Sequence, residues 1–428
     1  MTLPWPLAFR PPLSDPPREA DVAVIGAGSA GIAAARRLLS RGFTVAVVEA
    51  RGRVGGRAVT VGIKGHPVDP GAHWLHAGPI NPLVRLGRER GERLRRAPQE
   101  GHLFVRDRPG RREERAAFDR AFDRADRAMT AAARSGEDRA AARALPPLGP
   151  AGRRVEQVHG LVSGRPLREV SLHDFPSMEF ADNLFIAGGL GAYIARLAAG
   201  LPVRLGTPVT AVDWSGTGIS LETGAGTLKA RALVMTAPML VLQAGGIRFT
   251  PALPAQTRDA VHGFTAGVYE HVVLHWPGAP FRGPDRLAHL AGNRLEPPGL
   301  LTRIDGAPFH FLELDQPTAA SLDNRDPDAP ARYARAVLAE QFGRWAIRDL
   351  SSPLATTWRH DPWSRASWAV VPPGRAPIRD ALKRPVGDRI WFAGEALSRQ
   401  QWGTVGGAWD EAERAADEIA GLLGAGSP

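Results

Sequence analysis

The sequence predicts an α/β fold made of a Rossmann-like domain and a second, α+β domain that combines a mixed sheet with helices. Near the N-terminus, a strand, a glycine turn, a helix and a second strand follow one another within residues 21–49. Near the C-terminus, a strand at 389–393 leads through glycine turns to a helix at 409–423. Runs typical of strands and of helices lie between these ends. This mixture of elements is typical of an α/β fold.

Length and composition favour a folded protein with two domains. The 428 residues exceed what one simple core usually holds. With 43% apolar residues, 48 glycines and 38 prolines, the composition suits a loop-rich globular chain and lacks the low hydrophobicity of disorder.

The formal charge of +10 comes almost entirely from arginine, because the only lysines are Lys64, Lys229 and Lys383. The arginines are spread among acidic residues instead of clustering with stacking aromatics, so we expect no nucleic-acid partner. An anionic substrate attracted by the long-range field stays an open alternative.

The absence of cysteine excludes a disulfide framework, a thiolate metal site, a catalytic thiol and a cysteinyl bond to a cofactor. No segment approaches 18 uninterrupted apolar residues, and residues 1–17 lack the pattern of a secretory signal. We expect a cytoplasmic protein with no membrane span and no metal.

The N-terminal unit begins with an apolar strand at 21–25, continues with a helix at 32–40 and closes with a second strand at 44–48. Gly26 allows the tight turn and Gly28 lets a pyrophosphate approach the backbone. Gly31 lets the helix and strand pack closely. Ser29 and Ala30 complete the turn, where the N–H groups and positive dipole end of the helix can meet phosphates.

The residues after the second strand separate FAD from NAD. Glu49 can accept hydrogen bonds from ribose hydroxyls. The run Glu49 to Arg57, EARGRVGGR, resembles the second signature of the flavin-containing amine oxidase superfamily, which includes monoamine and polyamine oxidases. In that family the glycines approach the pyrophosphate and the arginine neutralises it. The resemblance implies FAD contacts from Ala50, Arg51, Gly55, Gly56 and Arg57.

The segment VDPGAHWLH, from Val68 to His76, resembles the D-x-G-A-x-W-x-H segment that runs past the flavin ring in polyamine-oxidase-like members. His76 matches the family histidine and is a candidate catalytic or site-lining residue, although buried histidines are commonly structural. Ala77 stands where glycine is usual. The resemblance implies cofactor contacts from Gly71, Ala72, His73 and Trp74.

The C-terminal strand RIWFAGE and the following GTVGGA resemble the family's F-A-G-E and G-T-V-x-G-A signature. The resemblance implies that Glu395 contacts the ribityl chain. It also implies that N–H groups around Thr404 and Val405 meet the flavin pyrimidine edge, where a helix N-terminus stabilises the charge of reduced flavin. The remaining contacts implied here are Gly394, Gly403 and Ala408.

One FAD can touch both ends of the chain only if its domain is discontinuous. Residues 202–212 and 230–238 resemble the family's middle FAD segment, in which Val209 would hold the adenine through its backbone. We assign residues 1–81, 183–255 and 366–428 to an FAD-binding domain, and residues 82–182 and 256–365 to a substrate-binding domain. In the latter we expect a helical run at 111–144, strands at 268–276 and 310–314, and a helix at 330–342.

The run WRHDPWSRASW, from Trp358 to Trp368, resembles the family motif W-x-x-D-P-x-S-x-G-S-Y on the substrate face of the flavin. Trp368 takes the aromatic position, and its π-face suits an amine nitrogen. Ser367 stands where some members carry the flavin-bonding cysteine, so we expect non-covalent FAD. Thr404 stands where monoamine oxidases place a tyrosine, and Trp402 is a second candidate for the aromatic wall.

The largest departure from the family lies in the strand at 268–276. Many members have a lysine there that holds a water near flavin N5 and is linked to oxygen reactivity, whereas this chain has His271. Histidine can hold water or act as a base near neutral pH, and it can equally be a satisfied structural residue. The candidate catalytic residues are therefore His271, Trp368, His76 and Thr404.

The leading hypothesis is an FAD-dependent amine oxidase or dehydrogenase that moves a hydride equivalent from the carbon beside the nitrogen to flavin N5, leaving an imine. One alternative is a desaturase or protoporphyrinogen-oxidase-like enzyme acting on a non-amine substrate. Another is a non-catalytic FAD-binding protein. We expect a small-molecule substrate, oxygen or another electron acceptor, and a homodimer as a possible assembly.

Overall fold

The structure is a computed structural model that describes residues 6–98, 101–134, 136–178, 181–292, 294–295, 297 and 299–424. The two outer ends of the predicted FAD domain, residues 1–5 and 425–428, lie outside the described residues.

The described part contains helices and strands in alternation, which confirms the predicted α/β class. The α-helices are α1 (Ser29–Ser40), α2 (Pro82–Glu89), α3 (Arg112–Ala133), α4 (Gly152–Ser163), α5 (Leu190–Leu197), α6 (Met239–Gln243), α7 (Ala255–His262), α8 (Gln316–Ser321), α9 (Ala329–Phe342), α10 (Ile378–Ala381) and α11 (Val405–Gly424). Short 3-10 turns occur at Ala141–Ala144, Gly149–Ala151, Leu167–Glu169, Phe175–Ser177, Ile304–Gly306 and Trp358–His360.

The strands fall into two large sheets and three two-stranded pairs. They are β1 (Glu19–Ile25), β2 (Val45–Val48), β3 (Val61–Ile63), β4 (His66–Val68), β5 (Leu94–Arg96), β6 (Gly101–Val105), β7 (Arg108–Pro109), β8 (Leu184–Ile186), β9 (Val203–Arg204), β10 (Val209–Asp213), β11 (Ile219–Thr223), β12 (Gly226–Met235), β13 (Arg248–Thr250), β14 (Thr265–Gly267), β15 (Tyr269–His275), β16 (Arg286–Ala291), β17 (Gly299–Thr302), β18 (Phe309–Asp315), β19 (Ser351–Ala355), β20 (Trp368–Val370) and β21 (Ile390–Phe392).

The first large sheet has eight strands in the order β13-β10-β11-β12-β1-β2-β9, with β21 also paired to β12. β1 is parallel to both of its neighbours, β2 and β12. Side chains of β1 alternate between two buried clusters. Val22 and Val24 pack with α1 and α11, whereas Ala23 and Ile25 pack with the β10–β11 side. Both faces are therefore covered, as expected for a parallel sheet centre.

The second large sheet has seven strands in the order β19-β15-β18-β17-β16-β6-β7. β15 and β18 are antiparallel, and their register places His271 directly opposite Glu313. Because side chains alternate along a strand, Tyr269 and His271 lie on the same face of β15. The strands of the first sheet come from three separate stretches of the chain, which supports the proposed discontinuous domain, while its exact boundaries stay a prediction.

Three predicted helices differ from the observed ones. α1 begins at Ser29, three residues before the predicted start, and α11 begins at Val405, four residues before. In both cases glycines lie in the first turn, where tertiary contacts outweigh their poor helix propensity. The predicted helical run at 111–144 was wrong in length, because α3 ends at Ala133 and Gly136 turns the chain with a φ of +92°.

Candidate active site

A single cavity of about 430 Å³ joins the glycine turns of the first sheet to the β15–β18 face of the second. We call the part lined by residues 25–58 and 394–408 the glycine half, and the part lined by Tyr269, His271, Glu313 and Trp368 the aromatic half. Every predicted site residue except Gly31 lines the cavity. Those residues are Gly26, Gly28, Ser29, Ala30, Glu49, Ala50, Arg51, Gly55, Gly56, Arg57, Gly71, Ala72, His73, Trp74, His76, Val209, His271, Trp368, Gly394, Glu395, Gly403, Thr404, Val405 and Ala408.

The N-terminal turn is shaped by glycines that other residues could not replace. Gly26 has a φ of +102°, which favours glycine. A Cβ on Gly31 would overlap the carbonyl oxygen of Gly26. A Cβ on Gly56, itself at a φ of +59°, would come within 3.2 Å of the Gly28 Cα. The two glycine segments thus touch backbone to backbone, and the Gly55 N–H donates to the Ala27 carbonyl at 2.8 Å.

The glycine half also contains two helix N-termini, those of α1 and α11. The Ser29 hydroxyl donates to the Val405 carbonyl at 2.8 Å, which holds the two helix starts together. The Thr404 hydroxyl accepts a hydrogen bond from the Gly407 N–H at 2.9 Å and donates to the Gln401 carbonyl at 2.7 Å. Two positive helix-dipole ends therefore meet on one wall, which suits an anionic ligand.

Two buried glutamates brace the glycine half. Glu49 accepts hydrogen bonds from the Ala27 and Arg51 N–H groups at 2.7 and 2.8 Å. Glu395 accepts from the N–H groups of Ala369 and Gly403, each at 3.2 Å. A carboxylate has about four acceptor sites, so each glutamate can still accept a hydroxyl from a ligand.

The two predicted cofactor arginines are engaged by protein groups. Arg51 is paired with Asp361 at 2.6 and 2.7 Å, and it also donates to the Ser364 hydroxyl. Arg57 donates to the Ser367 carbonyl at 2.9 Å and to Glu395 at 3.2 Å. The Arg51–Asp361 pair links the EARGRVGGR loop to the WRHDPWSRASW segment, a contact that the sequence did not indicate.

His271 is buried on the β15 face of the cavity. Its Nδ1 lies 3.3 Å from the Pro70 carbonyl, and its Nε2 has no hydrogen-bond partner within the described part of the chain. Burial, together with the nearby ring of His73, holds its pKa well below the usual range. The ring is therefore neutral at pH 7. A lowered pKa makes the imidazole a weaker proton acceptor, and both roles, holding a water and acting as a base, stay predictions.

Tyr269 and Glu313 form a buried pair that sequence reasoning missed. The Tyr269 hydroxyl donates to Glu313 at 2.7 Å. Burial raises the pKa of Glu313 to about 7, only partly opposed by this hydrogen bond. Among the described residues, no cationic side chain forms an ion pair with Glu313. Strand alternation could have indicated Tyr269, because it lies two residues before His271 on β15 and so shares its face. Glu313 lies opposite His271 on β18.

Trp368 forms the aromatic wall with Tyr269, their ring centroids 5.6 Å apart. Its indole N–H donates to the Ser163 carbonyl at 3.0 Å. The ring fills a slot between three glycines. A Cβ on Gly164, Gly267 or Gly403 would come within 2.8, 2.9 and 3.1 Å of it, respectively. The slot fixes the orientation of the ring toward the cavity.

Two neighbours of Trp368 do not behave as wall residues. The Ser367 hydroxyl accepts from the Tyr269 N–H at 3.0 Å and donates to the Tyr269 carbonyl at 2.9 Å, so it clamps the chain. The suggestion that Trp402 belongs to the wall was wrong. Trp402 is fully buried away from the cavity and packs against the Arg379 guanidinium, 5.0 Å from its ring centroid.

The VDPGAHWLH segment lies along the cavity between the two halves. A Cβ on Gly71 would overlap the Arg57 carbonyl, so the segment runs tightly against the glycine loop. His73 contacts the Gly71 carbonyl at 3.0 Å, and His76 contacts the Asn183 side chain at 3.2 Å. Burial lowers the pKa of each histidine to about 4. Both are neutral at pH 7 and contribute shape and neutral polar groups.

The described residues contain neither a candidate metal site nor a candidate membrane-spanning helix. No group of three or more histidine, aspartate or glutamate side chains there is arranged to hold a metal ion. Within the same part of the chain, no helix is long and apolar enough to cross a membrane.

Comparison with known proteins gives one family and several relatives. Residues 29–420 match the family model described as flavin containing amine oxidoreductase. The chain is 26% identical to human lysine-specific histone demethylase 2, covering 93% of this chain and 53% of that protein. It is 27% identical to polyamine oxidase 3 of Oryza sativa subsp. japonica, covering 92% of this chain and 88% of that protein. It thus spans about half the length of the demethylase.

A solved structure of wild-type putrescine oxidase bound to putrescine shares the fold. The TM-score is 0.74 at 21% sequence identity, covering 94% of this chain and 99% of that chain.

Proposed function

The chain belongs to the flavin-containing amine oxidoreductase family, and on that premise we propose that it oxidises an amine C–N bond to an imine in the cavity described above. One observation supports this proposal: the cavity joins a glycine half suited to a dinucleotide to an aromatic half that holds Glu313, a carboxylate without an ion-pair partner among the described residues. Family membership identifies the cofactor as FAD, as the sequence predicted.

The residues of the glycine half fit FAD. The contact between Gly28 and Gly56 and the paired starts of α1 and α11 support this proposal. Helix N-termini present free N–H groups and positive dipole ends, which suit a pyrophosphate and a reduced ring. The buried Nε2 atoms of His73 and His271 have no hydrogen-bond partner among the described residues, which suits a polar ligand or water in the cavity. Attachment is proposed to be non-covalent.

The family residues keep the roles proposed from the sequence. Glu49 would bind ribose hydroxyls, Glu395 the ribityl chain and Val209 the adenine, while Arg57 lies at the cavity wall near the glycine loop. When bound, FAD supplies the acceptor for two electrons and a proton from the carbon beside the substrate nitrogen.

In the aromatic half, Trp368 and Tyr269, whose rings contact each other, would together form an apolar wall against which the amine binds and which excludes water. Glu313 would bind the substrate ammonium and take its proton, because a carboxyl whose pKa is raised to about 7 exchanges protons near neutral pH. Tyr269 holds Glu313 in place through its hydroxyl. Orientation of the C–H bond is the main contribution expected of such a site.

The decisive experiment mixes the FAD-loaded protein with a panel of amines without oxygen and follows the flavin absorbance band. We expect bleaching with at least one class of simple amine. Absence of bleaching with every amine, combined with bleaching by a non-amine substrate, would favour the desaturase alternative. Reoxidation after mixing with oxygen or with artificial acceptors then identifies the electron acceptor, which the replacement of the family lysine by His271 leaves open.

A cytoplasmic location, a homodimer and a monoamine as the substrate are proposals. Size-exclusion chromatography with light scattering tests the homodimer directly.

A further inference from the structure

A second recess, of about 780 Å³, lies beside the cavity. Pro98 lines both spaces, and Leu287 of the cavity directly follows Arg286 of the recess on β16. The recess and the cavity therefore adjoin at Pro98 and along β16. We call it the arginine recess after its charged lining of Arg95, Arg96, Arg286, Arg303, Asp285 and Asp305.

The carboxylates of the recess do not compensate its arginines. Arg95 forms ion pairs with both acids: a close one with Asp285, and one with Asp305 at 3.2 Å. No carboxylate among the described residues lies within ion-pair distance of Arg96, Arg286 or Arg303. The lining therefore holds two more positive than negative side chains. Such a concave basic surface concentrates anions and repels cations.

Arg303 is held in place by its backbone. Its φ is +51°, a left-handed conformation that arginine rarely adopts. Asp285 and Asp305 have φ values of +49° and +52°. Its carbonyl accepts from the Asp285 and Gly306 N–H groups at 3.0 and 2.8 Å. Its Nη2 donates to the Gly306 carbonyl, while its Nε is buried without a hydrogen-bond partner within the described chain. Strained conformations of this kind persist where the surroundings enforce them, often at ligand sites.

We propose that the arginine recess binds an oxyanion at the far end of the substrate, so that the preferred substrate is an amine that also carries a carboxylate or similar group. This inference rests on the proposed amine oxidation. The planar guanidinium fork matches an oxyanion in two parallel hydrogen bonds. In the same substrate the ammonium lies at Glu313. A polycation lacking an anionic group is disfavoured by the charge of the recess.

The test compares ω-aminocarboxylates of increasing chain length with alkylamines of matching length, using the FAD-loaded protein. Binding is measured by calorimetry, and flavin reduction is followed without oxygen. At the optimal length, we expect the aminocarboxylate to bind about thirtyfold more tightly than the alkylamine, the effect of one charged hydrogen-bonded contact.

The variant Arg96→Gln/Arg303→Gln should abolish this preference while leaving alkylamine binding and the limiting rate of flavin reduction unchanged. Arg96→Gln alone, at an exposed position, should reduce the preference and keeps the test informative if the double variant does not fold. Arg384→Gln removes an exposed arginine near the C-terminal part of the chain and is the matched control, which should keep the full preference.

Competition with inorganic phosphate tests whether the oxyanion in the arginine recess is the carboxylate of the substrate or a free anion. We expect phosphate to compete with the aminocarboxylate and not with the alkylamine. Phosphate that binds without competing with the aminocarboxylate would overturn the proposal, because the two oxyanions would then bind at different places. Flavin reduction by amines with no preference for the aminocarboxylate also overturns it, while the proposed function stands. A third outcome is that aminocarboxylates bind in a way that depends on the recess arginines while no amine reduces the flavin. This outcome supports the anion site and refutes amine oxidation.

Discussion

The two halves of the cavity are made of different material. The glycine half is built from backbone: turns at Gly26 and Gly56, and the starts of α1 and α11 joined by the Ser29–Val405 hydrogen bond. The aromatic half is built from side chains, chiefly Tyr269, Glu313 and Trp368. At Gly26 and Gly31 the backbone site has no room for a Cβ atom, whereas the side-chain site keeps its shape when one functional group is exchanged. Substitutions should therefore remove the cofactor in the first half and change binding or chemistry in the second.

The largest effect is expected from Gly31→Ala. Its Cβ would overlap the Gly26 carbonyl and push apart the turn that holds FAD, an overpacking that costs about 1–3 kcal/mol or more. We expect purified protein with little or no FAD, measured as flavin absorbance per mole of protein. Gly52→Ala, in the next loop with open space around it, is the control and should retain FAD. Full FAD occupancy in Gly31→Ala would contradict the backbone account of this half.

The next effect concerns pH and stability. Burial raises the pKa of Glu313 from its ordinary value of 4.5 to about 7. The folded chain thus holds this proton more tightly than the unfolded chain. The resulting stabilisation is complete below about pH 4.5 and is lost as pH rises through about 7, a change of about 3 kcal/mol.

Urea unfolding of the wild type and Glu313→Gln at about pH 5 and about pH 8 checks this linkage. Because glutamine does not titrate, the variant should gain about 2.5 kcal/mol relative to the wild type over that interval. Glu222→Gln, at an exposed site, should show no such gain. If the free energy of unfolding changes equally with pH in the wild type and in Glu313→Gln, the titrating group is not Glu313.

Glu313→Gln should also weaken substrate binding while leaving FAD in place. Loss of one charged hydrogen-bonded contact costs about 2 kcal/mol, or about thirtyfold in affinity. We expect the Kd of the best amine to rise by that factor with normal flavin content. Loss of FAD from this variant would show that the two halves are not separable as described.

The smallest effect is expected from Trp402→Phe. Trp402 stacks on Arg379 outside the cavity, so the substitution should lower the unfolding free energy by about 1 kcal/mol and leave the KM within about twofold. Trp368→Phe, which changes the wall itself and releases the Ser163 carbonyl, should raise the KM clearly more. A larger KM change in Trp402→Phe than in Trp368→Phe would reverse our assignment of the wall.

The same contrast explains what the sequence could predict. The glycine half follows from contiguous motifs, because each glycine and Glu49 has a local geometric reason that short segments reveal. In the aromatic half, His271 and Trp368 were identified through the family motifs, but Tyr269 and Glu313 depend on the register between β15 and β18. The Arg51–Asp361 pair joins residues 310 positions apart. The prediction for Trp402 was wrong because the sequence alone does not distinguish an aromatic ring that faces a cavity from one that packs in the core.

The hydrogen bond between Ser29 and Val405 spans 376 positions of the chain, and this has a consequence for biosynthesis. A ribosome adds about 5–20 residues per second, so the first glycine turn waits roughly 20 seconds or more for its partner helix. Before α11 emerges, the face of α1 that it covers lies open to solvent and to chaperones. Completion of the FAD site thus has to wait until the residues of α11 have been synthesised.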